Sequence, residues 1–221
     1  MSLRRKFLRF VFHLLYNQFA FTYDLVASLV SFGQWKNWGR TSLSRVHGDR
    51  ILELGHGPGH LLIALARSGR TPIGIDLSPH MSRIARSNLR RAKLNVPHVR
   101  GRSQALPFRS NSFEASVATF PTEYIVDPKT LSEVRRVTND RGRLVIVAGA
   151  QIGTRKPSAR LIHWLYRVTG QKDALPNGSE SVFTQVNMPA HTETELIGHS
   201  QVLLVIAEKI SPDNKLAPSS D

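Results

Sequence analysis

The chain has 221 residues, 41% hydrophobic and 21% charged, enough for one domain with a sizeable core and an accessory segment. Thirty Lys and Arg against sixteen Asp and Glu give a net charge of +14, which favours anionic partners such as lipid headgroups, nucleic acid or an acidic substrate. The absence of cysteine excludes disulfides, zinc–thiolate sites and thiol catalysis, and no run reaches the roughly 18 apolar residues of a membrane span.

Residues 1–43 read as a basic, aromatic helical cap. The stretch 3–32 predicts helix up to Gly33, with Arg5, Arg9 and His13 on one side and Phe7, Val11, Leu14 and Leu15 on another. Its basic head and apolar middle imitate a secretory leader. His13, Asn17 and Gln18 interrupt it and no small-residue cleavage site follows, so it is read as retained and the chain as cytoplasmic. Arg4, Arg5, Lys6 and Arg9 suit an anionic membrane surface. Trp35 and Trp38 are expected to staple this segment to the core.

A domain over 44–210 then alternates strand and helix. "RILELG" reads as a buried strand, "HLLIALARSG" as a helix ending at Gly69, and "PIGID" as a second strand. A helix from Ser78 to about Lys93 follows, then strands at "HVRGRS" and "FEASVATF", a helix at "PKTLSEVRRVTN" and a fifth strand at "GRLVIVAGA". A helix near 157–168, a strand at "ESVFTQVN" and a last strand at "SQVLLVIAEK" complete the series, and the polar, Pro- and Ser-rich 211–221 reads as a flexible tail. The alternation predicts an α/β fold: a Rossmann-like, seven-stranded, mostly parallel sheet with helices on both faces.

Where the first strand meets its helix the chain reads "ILELGHGPGH". Gly55, Gly57 and Gly59 let the backbone turn tightly and approach a ligand, and the next helix points its free N–H groups at the same place. The spacing is GxGxG with His60 following, so the dinucleotide fingerprint GxGxxG is not met. Glu53 just before the loop repels pyrophosphate and attracts a cation. Asp76, seventeen residues after Gly59, ends the second strand where an acid takes ribose hydroxyls. A ribose, no phosphate and a positive charge at one end describe S-adenosylmethionine.

These segments resemble the class I S-adenosylmethionine-dependent methyltransferases, in particular the type 11 domain and the ubiquinone/menaquinone C-methyltransferases. The similarity runs closely over about 20–150. "ILELGHGPG" and "GIDLSPHM" look like the family's first two motifs, "GRSQALPFRSNSFEASVATF" like its LPF…SFD stretch, and "LSEVRRVTNDRGRLVIV" like its approach to the fifth strand. "FTYDLVASLVSFGQWKNWGR" resembles the Tyr-Asp helix and lid of the quinone-type members. The resemblance implies a cofactor site made by Glu53, Gly55, His56, Gly57, Gly59, Asp76, Leu77, Met81, Ser103, Gln104 and Thr119, with no metal.

Two departures stand out. Arg102 replaces the acid that holds the adenine amino group, and a guanidinium cannot accept that hydrogen bond. Adenine is then expected on the backbone around Ser103 and on the Gln104 amide. The family's Pro-Gly-Gly turn is here Asp140-Arg141-Gly142.

Methyl transfer is an in-line displacement at an activated carbon, so the protein's part is chiefly orientation and desolvation. A base is needed only for an acceptor that must lose a proton. The end of the fourth strand supplies Thr119, Glu123 as candidate base and Tyr124 as a ring to stack on the acceptor, and the cap supplies Tyr23. A small or lipophilic acceptor, quinone-like or lipid, follows from the resemblance and the N-terminal helix. Arg83, Arg86 and Arg90 share a helix face within a stretch without acids. They form either a solvated surface or an anion-docking face, and the latter leaves open an RNA methyltransferase. A catalytically silent S-adenosylmethionine-fold binding protein is the third reading, which Arg102 keeps open.

Overall fold

The computed structural model describes residues 34–152 and 179–210. The predicted helices at 3–32 and 157–168 and the 211–221 tail lie outside the described residues.

Helix α1 (Trp35–Arg40) and a 3₁₀ turn (Thr41–Ser44) lead into strand β1 (Arg50–Leu54). Helix α2 (His60–Arg67), strand β2 (Thr71–Asp76), helix α3 (Pro79–Arg91) and the short strand β3 (His98–Arg100) follow. Strand β4 (Phe113–Thr119) runs into a 3₁₀ turn (Glu123–Val126) and helix α4 (Pro128–Val137), then strand β5 (Thr138–Ile152). Helix α5 (Ser179–Gln185) precedes the hairpin of β6 (Ala190–Ile197) and β7 (Ser200–Glu208). The strands form one seven-stranded sheet in the order β3-β2-β1-β4-β5-β7-β6. The pairings among β1 to β5 are parallel, and β7 runs antiparallel to both β5 and β6. The expected Rossmann-like, mostly parallel architecture is present.

Side chains alternate along a strand, and the two faces fill separately. Leu52, Leu54, Leu144 and Ile146 pack on one face with Leu131, Val134 and Val137 of α4 and with Phe183. Ile51, Val117, Val145 and Val147 pack on the other with Leu61 and Leu65 of α2 and with Trp38. Trp38 is fully buried, so this last part of the predicted cap packs directly on the sheet, as a staple would.

The strand expected at "ESVFTQVN" is instead α5. Phe183 drives it into the core, and Asn187 at φ +55 closes the helix while the Met188 N–H bonds Phe183 O at 3.0 Å. The sixth strand lies one segment later, where Glu193 and Glu195 on the outer edge meet Arg45. Charged side chains along an exposed edge discourage pairing with another chain.

At the Asp140-Arg141-Gly142 turn, Arg141 takes φ +63, a left-handed conformation that favours glycine. A Cβ on Gly142 would stand 2.6 Å from Glu114 O. The departure thus accommodates one non-glycine residue and forbids a second.

Candidate functional site

The C-terminal edges of β1, β2 and β4 converge on the glycine loop. Gly55, Gly57 and Gly59 all have positive φ, +67, +50 and +80. Gly59 is also the left-handed N-cap of α2, and a Cβ there would meet the Ala85 Cβ of α3 at 3.1 Å. The loop is tied to β2 by Gly55 N–H on Ile75 O (2.8 Å) and by Gly57 N–H on Asp76 Oδ2 (2.9 Å).

Glu53 points to the α2 side of the sheet and is 1% exposed. It takes the backbone N–H of Leu62 in the first turn of α2, while its Oε2 is buried without a partner. Burial first, and the neighbouring Asp76 charge second, push its carboxyl well above the usual range, with the Leu62 N–H pulling the other way. An ionised acid here lacks one donor, and a positively charged donor would supply both the bond and the compensating charge.

Asp76 is equally buried, and both its oxygens hold backbone: Oδ2 accepts from Gly57 and Oδ1 from Ser78 at 2.7 Å. Each oxygen keeps a second lone pair for a hydroxyl. The cap of α3 is Ser78, whose Oγ accepts from Met81 N–H, so Asp76 holds the loop and leaves capping to its neighbour. Leu77 stands 56% exposed beside it, an apolar surface able to cover one face of a planar base. The turn after β3 lies alongside, with Gly101 N–H on Asp76 O at 3.0 Å. Ser103 and Gln104 are half-buried there, and Gln104 Nε2 donates to Asp127 Oδ2 at 3.1 Å, an orientation that leaves the Gln104 amide oxygen as the acceptor.

Other expected residues are placed differently. The His56 ring is buried, packed over Gly74 and edge-on to His98. Its Nδ1–H donates to Gly57 O at 2.8 Å, and burial lowers its pKa. The ring therefore stiffens the loop from beneath. The Met81 side chain has no exposed surface from which to touch one. Tyr124, expected to stack on an acceptor, instead reaches over the loop: its hydroxyl donates to Leu54 O at 3.2 Å and stands 2.7 Å from a Cβ placed on Gly55. Burial, with Asp76 and Glu53 close by, holds that phenol far above the usual tyrosine range. Glu123 is exposed on the same 3₁₀ turn, with no hydrogen bond or ion pair among the described residues, whereas Thr119 is half-buried at the end of β4. Tyr23, Arg4, Arg5, Lys6 and Arg9 lie outside the described residues.

Beside the loop lies a cavity of about 350 Å³, formed by α1, α2, α3 and the end of β4. Phe120, at φ +49, stacks on Trp35 with ring centroids 3.8 Å apart and floors one end. Four elements far apart in sequence converge to make it, so no local motif marks it. Among the described residues no cluster of His, Asp or Glu could hold a metal, and no helix is long and apolar enough to cross a membrane.

Residues 51–142 match the family described as "Methyltransferase domain". A demethylmenaquinone methyltransferase of Mycobacterium sp. (strain KMS) is 33% identical over 164 residues, 72% of this chain and 66% of the relative. One from Paenarthrobacter aurescens (strain TC1) is 33% identical over 128 residues, 56% of this chain and 49% of the relative. The matched part thus spans from about half to just under two thirds of these relatives' length. Among solved structures, a proposed S-adenosyl-L-methionine-dependent methyltransferase from Methanococcus maripaludis superposes with a TM-score of 0.65 at 20% identity, covering 87% of this chain and 92% of that one. The geranyl diphosphate C-methyltransferase of Streptomyces coelicolor A3(2), solved with S-adenosyl-L-homocysteine, gives 0.60 at 14% identity over 79% of each chain.

Proposed function

Since this chain belongs to the class I S-adenosylmethionine-dependent methyltransferases, we propose that it methylates a small or lipophilic, quinone-like acceptor. The observation that carries the cofactor half is Glu53: an acid sealed under a glycine loop, with one oxygen lacking a donor. That arrangement suits the ammonium of an amino-acid moiety and opposes a pyrophosphate. Asp76 would take the ribose hydroxyls, Leu77 would lie against adenine, and the Gln104 amide oxygen with the Ser103 backbone would meet its amino group. S-adenosylmethionine supplies, when bound, a methyl group already activated on a sulfonium.

The chain's own residues then orient and desolvate. The loop is anchored at Ile75 O and Asp76, so its geometry is set before a ligand arrives. Tyr124 excludes water from the same place and carries its proton at any physiological pH, so it donates a hydrogen bond and does not act as a base. The acceptor is expected on the β4 side, past Thr119 and Phe120. The quinone-like class rests on the relatives' activity and on the aromatic floor of Trp35 and Phe120. The basic N-terminal residues Arg4, Arg5, Lys6 and Arg9 would bring such an acceptor within reach from an anionic membrane surface.

The test is label transfer. Purified full chain with methyl-labelled S-adenosylmethionine and a demethylated naphthoquinol in detergent is expected to give labelled quinol. Cofactor uptake without label in any quinol would overturn the acceptor class and leave the cofactor site standing.

A further inference from the structure

The cavity beside the loop combines an aromatic end with an all-cationic rim. Its apolar floor is Trp35, Phe120, Leu61 and Ile63, and its charged side chains include Lys36, Arg40, Arg67 and Arg91. No Asp or Glu lines it. All four cations are exposed, and none makes an ion pair or hydrogen bond among the described residues. Three other described arginines face acids, Arg45 with Glu193 and Glu195, Arg136 with Glu133 and Arg143 with Glu208, whereas Arg83 and Arg86 are exposed and unpaired among the described residues but line no cavity with an aromatic floor.

The arrangement follows from helix periodicity. His60, Ile63 and Arg67 lie at i, i+3 and i+7 on one face of α2, which places the arginine about 10 Å further along the helix than His60, at 1.5 Å per residue. Lys36 and Arg40 repeat at i, i+4 on α1, and Arg91 closes the far side from the last turn of α3. Like charges gathered without counter-ions repel one another and gain by taking an anion. The 34 residues before α1 contain Arg4, Arg5, Lys6 and Arg9 against one acid, Asp24, so their charge has the wrong sign to complement this rim.

We propose that this cavity is a binding site for an oxyanion carried on a flat apolar ring. Resting on the methyltransferase reading, it is the acceptor's subsite, and the acceptor is an aromatic ring bearing a carboxylate or phenolate group. The ring lies on Trp35 and Phe120 and the oxygen charge faces the rim, which also favours the deprotonated form of an acidic ring hydroxyl without a dedicated base. A cavity of about 350 Å³ holds a two-ring body and leaves any long tail outside.

The probe pair is 2-naphthoate and its neutral isostere 2-naphthamide, titrated calorimetrically into the full chain at low salt. Naphthoate is expected to bind about tenfold or more tightly than the amide, with an advantage that shrinks as salt is added. The double variant Arg40→Ala/Arg91→Ala is expected to weaken naphthoate about tenfold and leave the amide unchanged. Arg83→Ala/Arg86→Ala, two exposed cations outside the cavity, should change neither by more than about twofold. Equal binding of acid and amide, or equal losses in the two double variants, would overturn the site. Thermal shift with S-adenosylhomocysteine on the same samples separates the two claims. A shift kept without naphthoate discrimination sinks the subsite alone, and discrimination without a shift sinks the methyltransferase reading while leaving an anion site.

Discussion

Replacing Glu53 by Gln removes a charge while keeping the side chain's size and an oxygen to accept from Leu62 N–H. In the wild type the carboxylate is 1% exposed and its Oε2 has no donor. Gln replaces the unmet Oε2 with an amide that is also unmet but uncharged, so it relieves the burial of charge and the Asp76 repulsion that raise the Glu53 carboxyl. At pH above that raised value the variant is expected to melt higher without ligand, by about 2–4 °C for each ~1 kcal/mol relieved. Cofactor binding moves the other way: losing a hydrogen bond to an ionised partner costs about 1.5–3 kcal/mol, a weakening of about ten- to 150-fold. The pH dependence follows from the raised carboxyl. Its stabilising effect on the free protein is complete below the ordinary value of 4.5 and is lost as pH climbs through the raised one. Cofactor affinity grows over the same window, because the ionised acid is the form that binds a cation. Differential scanning fluorimetry and calorimetry across pH measure both trends, and Glu53→Gln should flatten both. A variant that melts lower than wild type and binds the cofactor normally would show Glu53 to be only the cap of α2, and the reasoning would be refuted.

Gly55→Ala is expected to abolish cofactor binding and to cost about 1–2 kcal/mol from its left-handed backbone alone, with a further clash against the Tyr124 hydroxyl 2.7 Å away. Urea denaturation of the single variant and of Gly55→Ala/Tyr124→Phe should show part of the loss recovered in the pair. Asp76→Asn keeps one acceptor oxygen for two backbone N–H groups, so chemical denaturation should reveal a loss of about 1–3 kcal/mol together with weaker cofactor uptake. Glu133→Gln loosens the latch in which Glu133 holds Arg136 and the Leu106 N–H. Its pKa is lowered, chiefly by the Arg136 hydrogen bond, so this stabilisation is present above the ordinary carboxyl range and lost as pH falls through the lowered value. A partly exposed pair supports only about 1 kcal/mol, and a wild-type-minus-variant stability difference that grows towards acid would contradict the assignment.

The parts of this protein that depend on neighbouring residues were legible in its sequence. Apolar runs bounded by turn residues marked β1, β2, β4, β5 and β7, and the glycine spacing with Glu53 and Asp76 separated this loop from a dinucleotide site. What depended on distant partners was not legible. "ESVFTQVN" has the composition of a strand, yet Phe183 finds its place in the core from a helix. "AHTETELI" is too polar to announce a strand because it is an edge whose acids face Arg45. The direction of the His56 ring is set by Gly74, where the missing Cβ leaves it room. The position of Tyr124 over the loop is set by Leu54, 70 residues earlier. The cationic cavity draws on four elements at once, and its arginines at 67 and 91 look like ordinary helix-terminal charges until α1 is packed beside them.

The most direct test is a calorimetric titration of the full chain with S-adenosylmethionine and, separately, with NAD. One-site, saturable heat with the sulfonium nucleoside and none with the dinucleotide is the outcome required by a buried acid beneath a glycine turn. Heat with NAD and none with S-adenosylmethionine would contradict it.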